Sequence, residues 1–380
     1  MHVPGQGGLL RRFAACAIIQ IMVSALEKPR TNYAVAMACM ALLAFLVFPV
    51  LFFQRATEAR KVSDPAFEGA AAFRLGTTTH PSQPGDSAIP QELQGFEARC
   101  RAQGVLVCQG FDSSDEFAAA RYPRSGLYPA WDGAIRGTMD TRIKASGSAS
   151  LRFEVPSHSA ANASGYWKQE MGKEFREETA FYVQFRQRFS KEMLKNNWGD
   201  TNWKQMIIHN QSATCGALEL TTVQYYNAGF PTMYTECGSR SLFSNNGQPP
   251  TKLEQGDYNC WYGKYNSKDC FYYPVGEWMT FYYQISIGHW GKPDSTVNAW
   301  VALDGKLYKQ WIQMPNFILS ADRPSEGFDT VTLLTYMTGK SVGIDHPVAY
   351  TWYDELIVST QPIAPPTPSS DAQSPTAERH

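Results

Sequence analysis

The chain is short of charge. Only 18% of its 380 residues are Asp, Glu, Lys or Arg, and the formal net charge is -1. A balance so close to zero gives no bulk electrostatic pull toward nucleic acid, so no nucleic-acid partner is expected. Several catalytic signatures are missing as well. There is no Gly-x-Ser-x-Gly elbow, no phosphate loop and no His-Glu-x-x-His pair, which argues against the serine-hydrolase, nucleotide and zinc-protease classes. No Cys-x-x-Cys pair occurs among the eight cysteines, so a zinc site is not expected. Helical periodicity is scarce, no strand–helix–strand rhythm is visible, and no internal repeat is found.

What is present is aromatic and strand-like. Aromatics make up 13% of the residues. Strand candidates separated by Gly, Pro and Asn turns cover 104–111, 149–155, 181–189, 203–210, 217–226, 277–288, 296–303, 330–337 and 349–359. This pattern predicts an all-β domain over residues 96–360, a two-sheet antiparallel β-sandwich of the jelly-roll kind. Asp304-Gly305 marks a hairpin turn, and Lys191 to Lys195 is a candidate single helical turn. The stretch from Cys237 to Cys270 is rich in Gly, Asn, Pro and Tyr and reads as a long functional loop.

The N-terminal portion differs. Residues 1–32 form a tail, in which Phe13 to Leu26 is apolar but short. Residues 33–53 (YAVAMACMALLAFLVFPVLFF) carry no charge. A helix of that length crosses the ~30 Å hydrocarbon core, and no clean Ala-x-Ala cleavage site follows it. It is expected to be an uncleaved transmembrane signal anchor. Residues 54–95, with Pro65, Pro81, Pro84 and Pro90, are expected to be a flexible linker, and residues 361–380 a disordered tail. Six of the cysteines fall into local couples: Cys100 with Cys108, Cys215 with Cys237, and Cys260 with Cys270. Three disulfides place the domain in an oxidising compartment, periplasmic or extracellular. The expectation is a single-pass membrane protein with its C-terminal domain outside the cytosol.

The stretch 181–211 carries the most chemistry. Phe181, Val183, Phe185 and Phe189 alternate with Tyr182, Gln184, Arg186 and Arg188, so one side of the strand is apolar and the other polar. In the next strand Trp203, Gln205, Ile207 and His209 share a face by the same parity. Two arginines, a glutamine, a histidine and aromatics are the groups with which a surface grips a sugar, including an acidic one. The plain alternative is a half-buried sheet whose outer side is merely polar.

The strands YVQFRQRFS and WKQMIIHN, the hairpin VNAWVALDG and the closing strand AYTWYDELIVS resemble the concanavalin A-like lectin/glucanase jelly roll, within it most nearly the alginate- and glucuronan-lyase branch of polysaccharide lyases. The resemblance covers about 180–360. It implies two curved antiparallel sheets with a glycan lying across the concave one, and Arg186, Gln205 and His209 lining that face. It implies β-elimination on a uronate-containing polymer, with Arg186, Arg188 and Gln205 neutralising the C6 carboxylate. His209 would take the C5 proton, and Tyr336 or Tyr225 would protonate the leaving oxygen.

The alternative is a non-catalytic glycan-binding envelope protein whose aromatic platform is drawn from Trp203, Tyr225, Trp261, Tyr262, Trp290, Trp300 and Trp311. A glycoside hydrolase is the least expected. Glu219 stands alone, and Asp354 and Glu355, being adjacent, should point to opposite faces. No cofactor is expected. The fold admits a structural calcium, with Asp304, Asp329 and Asp354 as candidate oxygen ligands and no spacing that singles them out. Nothing in the sequence sets the oligomeric state.

Overall fold

The computed structural model describes residues 90–118, 124–196, 198, 203–210, 216–224, 231–235, 240–241, 271–337 and 339–370. In chain order the elements are α1 (Phe96–Cys100), β1 (Val105–Gln109), α2 (Ser114–Ala118), β2 (Gly126–Tyr128), β3 (Gly137–Asp140), β4 (Ser150–Val155), β5 (Tyr166–Phe175), β6 (Ala180–Phe189) and α3 (Lys191–Lys195). They continue with β7 (Trp203–His209), β8 (Glu219–Gln224), β9 (Pro231–Thr235), β10 (Arg240–Ser241), β11 (Met279–Ser286), β12 (Pro293–Leu303), β13 (Lys309–Ile318), β14 (Phe328–Leu334) and β15 (Ala349–Ser359). The fold is all-β. One sheet runs β13-β12-β11-β6-β15-β4-β3, with β1 also paired to β15; the other runs β10-β9-β8-β7-β14-β5-β2. Every pairing between these strands is antiparallel.

The core lies between the sheets and follows from strand alternation. Phe181, Val183, Phe185 and Phe189 of β6 point inward, as do Phe281, Tyr283 and Ile285 of β11. They meet Trp203, Met206 and Ile208 of β7 and Val331 and Leu333 of β14. Each such side chain contributes on the order of 1.5–3 kcal/mol by leaving water. Polar cross-links add specificity. The Tyr353 hydroxyl donates to Gln205 O (2.8 Å) or Leu334 O (2.9 Å), and Thr222 bonds the Tyr283 hydroxyl (3.0 Å), each joining one sheet to the other.

Several expectations meet the structure directly. The hairpin at Asp304-Gly305 joins β12 to β13, with Gly305 at φ +64° where a side chain would be strained. α3 spans Lys191–Lys195, and the Ser190 side chain caps it by accepting from Met193 N. Cys100 and Cys108 are disulfide-bonded and tie α1 to β1. Cys215, Cys237, Cys260 and Cys270 lie outside the described residues, as do the span 33–53, residues 1–32 and the end of the tail, 371–380. No helix among the described residues is long and apolar enough to cross a membrane.

Residues 361–370 do not form the disordered tail expected from their proline content. They run as a strap across the outer side of the β6 sheet. Ile363 N donates to the Tyr282 hydroxyl (3.2 Å), Gln184 Nε2 to Ala364 O (2.9 Å) and Ser369 Oγ to Asp304 (2.6 Å). Gln94, from the segment expected to be linker, pairs with the strap through Pro365 O and Thr367 N. Ile363 is buried with Tyr182, Tyr282, Trp300 and Ile357. The donor-poor backbone of a proline-rich stretch suits this role, because its few N–H groups are met by side chains and backbone carbonyls already in place.

Candidate functional site

The register of the β7 sheet defines its outer face row by row. Glu170, Thr330, His209 and Glu219 lie opposite one another in one row. Lys168, Thr332, Ile207, Thr221 and Tyr234 form the next, and Tyr128 and Tyr166 sit at one end of a third. Lys204 joins that third row through a β-bulge, where the register against β8 shifts between Lys204 and Met206. The bulge reverses the parity of the strand's first half. Trp203 and Gln205 turn into the core, and Lys204 turns outward with Ile207 and His209.

Lys204 is the centre of this face. Its Nζ lies 3.6 Å from Glu219 Oε1, 5.6 Å from the Tyr234 ring centroid and 5.4 Å from that of Tyr336. Its backbone N–H donates to Tyr336 O at 2.7 Å, which fixes the segment after β14 that carries Tyr336 beside it. Partial burial pulls the ammonium toward neutrality, but Tyr234, Glu219 and Tyr336 outweigh it and the net shift is upward. Lys204 is therefore a held cation. Burial raises Tyr234, with Lys204 only partly offsetting it, so Tyr234 keeps its proton at neutral pH.

His209 lies two rows along the same face, beyond the Ile207 row. Its Nδ1 faces Asn210 O, which can only accept, so the proton sits on Nδ1. Nε2 then carries the lone pair and accepts from the Thr332 hydroxyl at 2.8 Å. The ring is lowered from 6.5 to about 4, first by burial and then by nearby Lys168, with the bond to Asn210 and the charge of Glu219 opposing. His209 is thus neutral at physiological pH. Toward β2, the Tyr128 and Tyr166 rings stack at 5.1 Å, and Lys168 Nζ lies 5.3 Å from the Tyr128 centroid.

The sequence-predicted residues divide between two places. His209 and Tyr336 are on the Lys204 face. Gln205 is not: it is fully buried, and its Oε1 accepts from the Tyr273 hydroxyl at 2.7 Å in the core. Even spacing from His209 would have put it outside, and the bulge overturns that. Arg186 and Arg188 lie on β6, in the other sheet, so they do not share a face with His209. Arg186 is 1% exposed and paired with Asp304 and, at 3.7 Å, with Glu355. Tyr225 lies outside the described residues.

Around Arg186 a closed ionic network has formed. Arg99 bonds both Glu355 and Gln184, and Gln184 also bonds Tyr308. Asp354 and Glu355 both point to this outer side, against the expectation from adjacency. Glu355 adopts φ +52° at a bulge between Asp354 and Ile357, and the local reversal turns its side chain over. Burial and the Glu355 charge push the Asp354 carboxyl well up, although Ala145 N (2.7 Å) and Ser146 N donate to it. Burial opposes ionisation of Glu355 too, but Arg99 and Arg186 outweigh it and the net shift is down.

The aspartates considered for calcium are spread apart. Asp304 is taken up by Arg186 and Ser369, Asp354 by backbone amides, and Asp329 by Thr330 on the other sheet. Among the described residues no group of three His, Cys, Asp or Glu is placed to hold a metal ion. Of the tryptophans considered as a platform, Trp203, Trp300 and Trp311 are buried, Trp290 is half-buried, and Trp261 lies outside the described residues.

No family model matches the chain, and no curated protein matches it. Among solved structures it is similar to the marine PL-14 alginate lyase from Aplysia kurodai, at 14% identity and a TM-score of 0.46, covering 68% of this chain and 99% of that one. It is also similar to the endo-beta-1,4-glucuronan lyase from the fungus Trichoderma reesei, at 11% identity and a TM-score of 0.40, covering 62% and 90%. A third is the catalytic domain of the glycoside hydrolase family 131 protein from Coprinopsis cinerea, at 11% identity and a TM-score of 0.41, covering 71% and 100%.

Proposed function

We propose that the protein is a polysaccharide lyase acting by β-elimination on a uronate-containing glycan bound across the outer face of the β7 sheet. The observation that carries this reading is Lys204, a cation held charged between Tyr234 and Tyr336 on a half-open face. Elimination needs the C6 carboxylate neutralised so that the C5 proton becomes acidic, and an ammonium in partly desolvated surroundings does this. In this reading Lys204 replaces the arginines in that role.

His209, already neutral, takes the C5 proton on Nε2 once the Thr332 hydroxyl rotates away. The C–H electron pair becomes the C4–C5 double bond as the C4–O bond breaks. Tyr336 gives its proton to the leaving oxygen, and the proton on His209 returns to the phenolate through solvent. Glu219, 3.6 Å from Lys204, orients the ammonium without neutralising it. The anchor at 33–53 and an extracytoplasmic domain belong to the same proposal, supported by the uncharged run and the Cys100–Cys108 bond.

The test is ultraviolet absorbance during incubation with alginate, glucuronan and related polymers, because elimination leaves a double bond conjugated to the carboxylate and hydrolysis does not. A rise that disappears in Lys204→Ala supports the reading. Binding of a polymer with no rise replaces it with the glycan-binding alternative.

A further inference from the structure

We infer that Trp131 forms a sugar-stacking subsite beside Lys204, for the ring next to the one whose carboxylate meets the ammonium; this rests on reading the Lys204 face as a glycan surface. Trp131 is 66% exposed, and among the described tryptophans no other is exposed. A large indole left in water has a reason to be there when it is both fixed and beside polar chemistry. Its ring lies in a T-shaped contact with that of Tyr336 at 5.5 Å, and Lys204 Nζ lies 5.4 Å from the same Tyr336 ring. The tyrosine therefore contacts both the indole and the cation.

The turn that presents Trp131 is braced from several sides. Trp131 N donates to Asn162 O (3.3 Å), Ala130 N to Ala134 O (2.8 Å) and Gly133 N to Ala130 O (2.9 Å). Gly133, at φ +80°, lets the chain reverse within this short loop. Asp132 accepts from Ala134 N (3.1 Å) and from both terminal nitrogens of Arg136 (3.1 and 2.6 Å), and Arg136 Nη1 also donates to Ala163 O (2.6 Å). Arg136 holds the Asp132 carboxyl down to about 2, so the brace stays charged across ordinary pH. The same 161–163 segment is bonded to the residue after Tyr336 through Met337 N and Ala161 O (3.0 Å). An indole fixed in this way loses little conformational freedom on binding, and a flat apolar ring is the natural partner of the C–H face of a pyranose.

The test compares Trp131→Ala and Trp131→Phe with the wild type on long and short oligosaccharides of whichever polymer is bound. Binding is also measured by calorimetry in a Lys204→Ala background, where no cleavage intervenes. Trp131→Ala is expected to raise KM about tenfold on long chains with kcat within about twofold, Trp131→Phe to restore most of the loss, and the shortest oligomers to show little penalty. An unchanged KM and unchanged binding on long chains would overturn the subsite. If the wild type binds a polymer without cleaving it, and Trp131→Ala weakens that binding about tenfold, the subsite is supported and the lyase chemistry is not. If wild type and Trp131→Ala bind every polymer alike, the subsite is wrong whatever the chemistry. Melting curves of both variants, expected to match the wild type, exclude loss of the fold.

Discussion

The two outer faces of the sandwich are built from the same kinds of side chain and treat them oppositely. Both carry cations, carboxylates and aromatic rings. On the β6 side Arg99 and Arg186 are matched by Glu355 and Asp304, Gln184 is bonded at both ends, and the strap 361–370 lies over them. On the β7 side Lys204 has one carboxylate at 3.6 Å and two tyrosine rings, and it stays partly open. A satisfied, covered network contributes to structure, because every charge is already spoken for. A cation that is held charged but incompletely paired can still meet a ligand carboxylate. Residue type alone does not separate these two cases; burial and pairing do.

Removing a partner from the closed side should have the largest effect on stability. Arg186→Ala leaves the half-buried Asp304 without its cation and Glu355 with Arg99 alone, and a loss of about 3–5 kcal/mol is expected, read by chemical denaturation. Turnover per folded molecule should be unchanged. On the open side the balance inverts. Lys204→Ala should lower kcat/KM by about 10²–10³-fold, with a melting temperature close to wild type because the side chain is not part of the core. A variant that loses both activity and stability to the same degree would erase the contrast.

Ending the chain at Thr360 removes the strap and sharpens the comparison further. Exposure of Ile363 and its aromatic neighbours should cost on the order of 2 kcal/mol, detected as a lower denaturation midpoint, without altering the Lys204 face. The smallest effect concerns pH. His209 has a folded pKa of about 4 against 6.5 unfolded, so between these values the unfolded chain binds more protons. Its contribution to stability is therefore present above pH 6.5 and declines as pH falls toward 4, by on the order of 1–2 kcal/mol for a partly exposed ring. His209→Gln should flatten that part of the stability profile.

Much of the architecture is visible in the alternation of single strands. Phe181, Val183, Phe185 and Phe189 face the core as their period-2 spacing requires. The site was only partly legible, and the reason is specific. Alternation places Gln205 with His209 and puts Lys204 on the side of Met206 and Ile208. A lysine between core residues is the signal that parity must break, and a bulge there corrects it. Lys168 lies in β5, a strand whose charged outer residues mask the inward Trp167 and Met171. Glu355 needed a positive φ that nothing in the local sequence announces. Arg186 and His209 each sit on a polar strand face, but which sheet each strand joins depends on long-range pairing that no single stretch encodes.

The most direct test of where the chemistry resides is the rate of unsaturated product formation, per folded molecule, for Lys204→Ala and Arg186→Ala on the same uronate polymer. The expected result is loss of about 10²-fold or more in the first and a wild-type rate in the second. A wild-type rate in Lys204→Ala, with activity abolished in folded Arg186→Ala, would contradict it and move the reaction to the face beneath the strap.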